Sequence, residues 1–250
     1  MNDAAPTPDH PSTFPTGAGA VLWFGGTFDP PTTAHLELPE AARQAVEADS
    51  VVYCPAARSP FKSHNPHASG DDRLDMLRAA LAHRLGSTAA VSSIELDRAA
   101  HRPDQPSYTV DTLAAVRASL PPHRPLRLLI GADQARSFHK WREADRIVQL
   151  AEPLVMLRAS GPQHAHPDHP DDASWNAARD ELLAELDSHW PAHDRHPWAR
   201  RIVRVPMIHA SATRARQLLS LPDPSDEQRR ELGRLLPPPV LRLIQQRRLY

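Results

Sequence analysis

The chain has 250 residues, with 29 Lys and Arg set against 30 Asp and Glu. That balance provides no basic field to hold a nucleic acid, so none is expected as a partner. A single cysteine, Cys54, excludes an internal disulfide framework. No apolar run approaches the ~20 residues needed to cross a bilayer, so a soluble cytoplasmic protein without a membrane partner is expected.

Residues 1–19, rich in Pro, Ala, Thr and Asp and lacking a basic or apolar leader pattern, read as a disordered tail. Residues 20–250 read as one domain. "AVLWFG" is a short apolar run closed by glycine, as in a buried strand. "TAHLELPEAARQAVEA" has helical spacing interrupted by Pro39, and "DSVVYCPA" is a second strand. "DDRLDMLRAALAHRL" is an amphipathic helix with Asp71 or Asp72 near its cap. "AAVSSIEL" reads as a third strand, "TVDTLAAVRASL" as a helix beginning near Thr109, and "PLRLLIGA" as a fourth strand. A short helix, "ADRIVQLA", precedes a fifth strand, "PLVMLR". Between residues 160 and 200 the pattern breaks into Pro- and His-rich loops around one helix at about 173–188, expected as a surface insertion. "RIVRVPMI" resumes the sheet, and the helices "ATRARQLLS" and "PPPVLRLIQQRRLY" close the chain. This alternation predicts an α/β fold, a doubly wound parallel sheet with helices on both faces and a helical C-terminal region. Ligands bind such sheets outside the carboxyl ends of the strands.

The joint after the first strand, "WFGGTFDPPTTAH" (residues 23–35), carries the densest chemistry. As a plain turn, Gly25 and Gly26 would permit backbone conformations forbidden to a side chain. Asp29-Pro30-Pro31 is turn chemistry, and Thr32 or Thr33 would cap the helix carrying His35. The same geometry suits a phosphate: a glycine-lined loop brings backbone N–H groups close, and a helix N-terminus adds its positive end. Neither GxxxxGK(S/T) nor GxGxxG is present. A hydroxyl and an imidazole one helical turn apart point instead at a single phosphate group.

The stretch "GGTFDPPTTAH" resembles the bacterial nicotinate-nucleotide adenylyltransferase family of the (H/T)xGH nucleotidylyltransferases, whose usual form is GG(S/T)FDPxHxGH. Thr32 stands at that motif's first histidine and Ala34 at its glycine, where an added methyl could crowd the nucleotide. "HASATRARQLL" is similar to the second signature, ISSTxxR, with Ser211, Thr213 and Arg216 matching and Ala212 replacing a serine. "PSYTVDTL" and "IGADQARSFHKWREADRI" resemble the stretches that mark the nicotinate branch. "CPAARSPFK" resembles its basic loop, and "PPPVLRLIQQRRLY" its closing VxxYIxxxxLY, with Leu243 for the first tyrosine.

The resemblance implies an enzyme that moves the adenylyl group of ATP to nicotinate mononucleotide, releasing pyrophosphate and forming deamido-NAD for NAD biosynthesis. Gly25, Gly26, Thr27, Phe28 and Asp133 would meet ATP. Ser211, Thr213 and Arg216 would hold its terminal phosphates, and His35 and Thr32 would donate to the α-phosphate. Lys62 would lie near the mononucleotide phosphate, Thr109 near the pyridine carboxylate, and Trp141 would stack on the ring. Mg²⁺ would be carried by ATP, with no dedicated protein metal site. The histidines of the 160–200 segment (His164, His166, His169, His189, His193 and His196) are irregularly spaced and read as solvated rather than metal-binding. Two alternatives stay open: a different acceptor, nicotinamide mononucleotide or phosphopantetheine, the latter opposed by "PSYTVDTL" and Trp141; and a degenerate nucleotide-binding module, supported by the changes at Thr32, Ala34 and Ala212. A homo-oligomer is compatible with the sequence.

Overall fold

The structure, a computed structural model, describes residues 14–15, 17–57, 66–102, 105–158, 172–190 and 198–250. Six parallel strands run in the order β3-β2-β1-β4-β5-β6. They are β1 (Val21–Gly26), β2 (Ser50–Pro55), β3 (Ala89–Val91), β4 (Leu126–Gly131), β5 (Glu152–Leu157) and β6 (Ile202–Arg204). Both faces are covered, as parallel crossovers require. On β1, Leu22 and Phe24 join Val51 and Tyr53 of β2 in one core layer, while Val21 and Trp23 join Val52 and Cys54 in the other. The first layer is closed by α1 (Thr33–Ala45), α2 (Gly70–Leu81), α8 (Ala212–Leu219), α9 (Asp226–Leu235) and α10 (Pro238–Arg247). The second is closed by α4 (Thr109–Ser119), α6 (Ala144–Leu150) and α7 (Asp172–His189).

Several local expectations change. α1 continues through Pro39, whose ring is buried; packing offsets the hydrogen bond that proline cannot donate. Ser69 caps α2 through its hydroxyl, which accepts from the Asp72 N–H, with Asp71 and Asp72 in the first turn. The third strand ends at Val91, and "IELDRAAH" forms helix α3 (Ile94–His101). There the hydroxyl of Ser93 donates to the Asp97 carboxylate at 2.7 Å. The strand expected in "RIVRVPMI" shrinks to Ile202–Arg204. The short α5 (Ala132–Arg136), a 3-10 turn at Phe138–Lys140 and the whole of α9 are additions.

The helix of the expected insertion, α7, is no surface ornament. It lies in the chain between β5 and β6 and buries Leu182 and Leu186 in the second core layer. The loops beside it, 159–171 and 191–197, lie outside the described residues, and with them His164, His166, His169, His193 and His196. His189, at the end of α7, stacks on His139 with ring centroids 3.8 Å apart. Most of the expected tail, residues 1–13, is likewise outside. Its last residues are tied down: Arg124 donates to the carbonyls of Pro15 and Gly19, and Gly19 donates to Asp49.

Candidate active site

The chain leaves β1 toward β2 and leaves β4 toward β5, in opposite directions, although β1 and β4 are hydrogen-bonded neighbours. Their carboxyl ends therefore diverge and open a crevice, the usual ligand site of such sheets. A cavity of about 950 Å³ fills it, with Gly25 and Gly26 of β1 and Ile130 of β4 in its wall. That volume is at the upper end for a small-molecule site.

On one side stand His35, Thr213 and Arg216, all lining the cavity. Thr32 caps α1, and its backbone N–H donates to Nδ1 of His35 at 3.0 Å. Since Nδ1 accepts, the ring proton belongs on Nε2. The Thr32 hydroxyl also lies 3.0 Å from Nδ1 and reaches the Ala210 carbonyl at 3.4 Å. Thr32 is 0% exposed and does not line the cavity. The phosphate contact expected of its hydroxyl thus has no room to form. Ala34 is also buried in the core and absent from the wall, so its methyl takes no space from a ligand. Ser211 caps α8 by accepting from the Arg214 N–H and stays outside the wall, whereas Ala212 is in it.

The loop between β1 and α1 is pinned from several directions. The buried guanidinium of Arg73, on α2, donates to the carbonyls of Thr27 and Ala56 at 2.8 Å each. Arg216 donates to the Asp29 carbonyl at 2.5 Å and to the Thr213 hydroxyl at 3.3 Å. Burial alone would raise the Asp29 carboxyl, but the N–H groups of His67 and Ala68, the Tyr250 hydroxyl and the His67 ring together hold it below its ordinary value. The two loop glycines lie in the strand without the left-handed backbone expected of them; Phe28 is the loop residue at positive φ (50°). Gly26 is required for space, because a Cβ there would sit 2.9 Å from the Phe28 ring. Phe28 in turn sets its ring edge-on to His35, 5.3 Å between centroids.

Across the cavity lie Thr109, the first residue of α4, and Trp141, whose ring packs on Phe138 at 5.2 Å. Asp133, at the start of α5, also lines the wall and folds its carboxylate over Gly131, where a Cβ would meet it at 2.6 Å. Lys62 lies outside the described residues. Wall residues missed in the sequence include Asp29, His67, Glu95, Tyr108, Lys140 and Arg142. Arg142 places its guanidinium 4.6 Å over the Tyr108 ring, a cation–aromatic contact. Glu95 accepts from the Thr112 hydroxyl at 3.1 Å, and burial pushes its carboxyl up. The adjoining "SSIEL" concealed it as a strand residue, whereas Lys140 and Arg142 flank Trp141 and were legible there. Among the described residues, no three His, Cys, Asp or Glu side chains converge as metal ligands would, and no helix is long and apolar enough to cross a membrane.

The cytidylyltransferase-like family matches residues 23–218. A probable nicotinate-nucleotide adenylyltransferase of Stenotrophomonas maltophilia is 34% identical over 201 residues, covering 78% of this chain and 84% of the relative. One of the same name from Chromobacterium violaceum is 32% identical over 234 residues, covering 91% and 96%. Among solved structures, Plasmodium falciparum nicotinic acid mononucleotide adenylyltransferase complexed with NaAD superposes with a TM-score of 0.60 at 14% identity, over 93% of this chain and 97% of that one. At that identity the likeness is one of fold.

Proposed function

Since the chain belongs to the cytidylyltransferase-like family, on its nicotinate-nucleotide adenylyltransferase branch, we propose that it joins ATP to nicotinate mononucleotide, giving deamido-NAD and pyrophosphate. The observation that carries this reading is the two-sided cavity. An imidazole and an arginine suited to phosphates stand on one side, and a helix N-terminus, an indole and two cations on the other.

A phosphate oxygen of the mononucleotide attacks the α-phosphorus of ATP as the bond to the bridging oxygen of pyrophosphate breaks. Such transfers depend on positioning and on neutralising charge. His35, with its proton on Nε2, donates to an α-phosphate oxygen as charge builds there. Arg216, with Thr213 at the start of α8, holds the departing pyrophosphate. Gly25 to Phe28 and Asp133 border the nucleotide. Mg²⁺ brought in with ATP would screen the phosphate charge, with no protein ligand set assigned to it. On the acceptor side Trp141 stacks on the pyridine ring. Thr109, the one residue of α4 in the wall, meets its carboxylate, aided by the positive end of that helix. Lys62 serves the mononucleotide phosphate. The single buried thiol, Cys54, suits the reducing cytoplasm in which we place the reaction.

Labelled ATP tests the chemistry. With label on the α-phosphorus, the account expects it in the dinucleotide; label recovered in free phosphate or AMP would point to hydrolysis and overturn the reading.

A further inference from the structure

We propose that Tyr250 is a positioning residue for the triphosphate side of the site, acting through Asp29 on Arg216. The proposal rests on the adenylyltransferase reading for its kinetics, but its ATP-binding form stands independently.

The hydrogen bonds define a chain of three residues from separate parts of the sequence. The Tyr250 hydroxyl donates to Oδ1 of Asp29 at 2.7 Å, across 221 residues of sequence. The same oxygen accepts from the Ala68 N–H at 3.0 Å, while Oδ2 accepts from the His67 N–H at 2.8 Å. Asp29 lies in the cavity wall but is only 4% exposed, so its carboxylate is a buried post to which two outside segments are tied. Its own carbonyl accepts from Arg216, the wall cation assigned above to the departing pyrophosphate. Whatever fixes the Asp29 side chain thereby fixes the carbonyl that aims the guanidinium.

The segment bearing Tyr250 is built to hold that reach. Val240 and Ile244 bury one side of α10. Arg247 forks onto Asp72 and Asp75 of α2 at 2.8 Å each. Arg248 then turns the chain in the left-handed region (φ 54°), and the Leu249 N–H returns to the Ile244 carbonyl. The reversal delivers the phenol to the loop between β1 and α1. Burial and the neighbouring Asp29 both raise the Tyr250 phenol, which keeps its proton for donation. A phenylalanine would fill the same volume and lose only that donor. Oδ1 would keep a single partner, and the loop carrying the Arg216 acceptor would be held less tightly.

The test compares wild type with Tyr250→Phe in steady-state kinetics and in direct ATP binding by calorimetry, with thermal unfolding in parallel. The expected result is a KM and Kd for ATP raised roughly 3- to 10-fold, the worth of about one hydrogen bond, with the KM for nicotinate mononucleotide changed less than about two-fold. Combined with Asp29→Asn, Tyr250→Phe should add no further loss, because both act along one path. Unchanged ATP parameters, an equal rise in both KM values, a drop in Tm alone, or full additivity with Asp29→Asn would each overturn the proposal. If wild type binds ATP but fails to turn over nicotinate mononucleotide, the acceptor assignment fails, and the calorimetric comparison still decides the role of Tyr250.

Discussion

At Thr32 the hydroxyl and the backbone N–H both converge on Nδ1 of His35, each at 3.0 Å. The residue expected to touch a phosphate is instead sealed behind the ring and helps to fix its tautomer. Thr32→Val keeps the shape and the backbone donor and removes only the hydroxyl. It should lower kcat about 3- to 10-fold, the worth of one neutral hydrogen bond, with both KM values unchanged; a loss beyond ~100-fold in stopped assays would mean that the hydroxyl contacts the reacting phosphate after all. Spacing in the sequence brought Thr32 and His35 together but could not say which faced the ligand, since a cap and a donor occupy the same helical turn. Gly26 was legible as necessary and misread as to cause, whereas a side chain at Gly25 would meet nothing within 4 Å. Gly26 yields space to the Phe28 ring, a contact between side chains that no local pattern encodes.

Among the elements, the errors have identifiable origins. "SSIEL" alternates like a strand, yet the following Asp-Arg-Ala-Ala are mostly good helix formers, and the Ser93 hydroxyl, at the cap position, donates to the Asp97 side chain one turn on. α9 was announced by Ser225 and Gln228, which form a reciprocal capping box at 3.3 and 2.7 Å; that signature could have been read. α7 was undervalued because Pro- and His-rich sequence surrounds it. Leu186, 1% exposed, belongs to the layer that also holds Phe138, Trp190 and Trp198. Phe138 in turn backs Trp141. Leu186→Ala should cost about 2–5 kcal/mol of stability, measured from the denaturant midpoint. It should also weaken the mononucleotide more than ATP, because the disturbed layer supports the acceptor wall. A stability unchanged within 0.5 kcal/mol would return α7 to the surface.

At the scale of the whole molecule, the alternation of apolar runs and helices was enough to predict the parallel sheet, because strands buried on both faces need continuous apolar segments. Strand order was not in that pattern. It follows from crossovers leaving β1 and β4 in opposite directions, and this divergence gathers residues 23–35, 107–109, 128–142 and 212–216 around one cavity. The central claim is that this cavity performs adenylyl transfer to an acidic pyridine mononucleotide with His35 as the donor to the α-phosphate. It is tested most directly by pyrophosphate release from ATP and Mg²⁺ with nicotinate or nicotinamide mononucleotide, in wild type and His35→Ala. The account predicts turnover favouring the acid, with kcat falling about 10²- to 10³-fold in the variant, as for loss of one transition-state donor. Equal use of both acceptors would contradict the recognition assigned to Thr109 and α4, and no turnover despite ATP binding would contradict the enzyme itself.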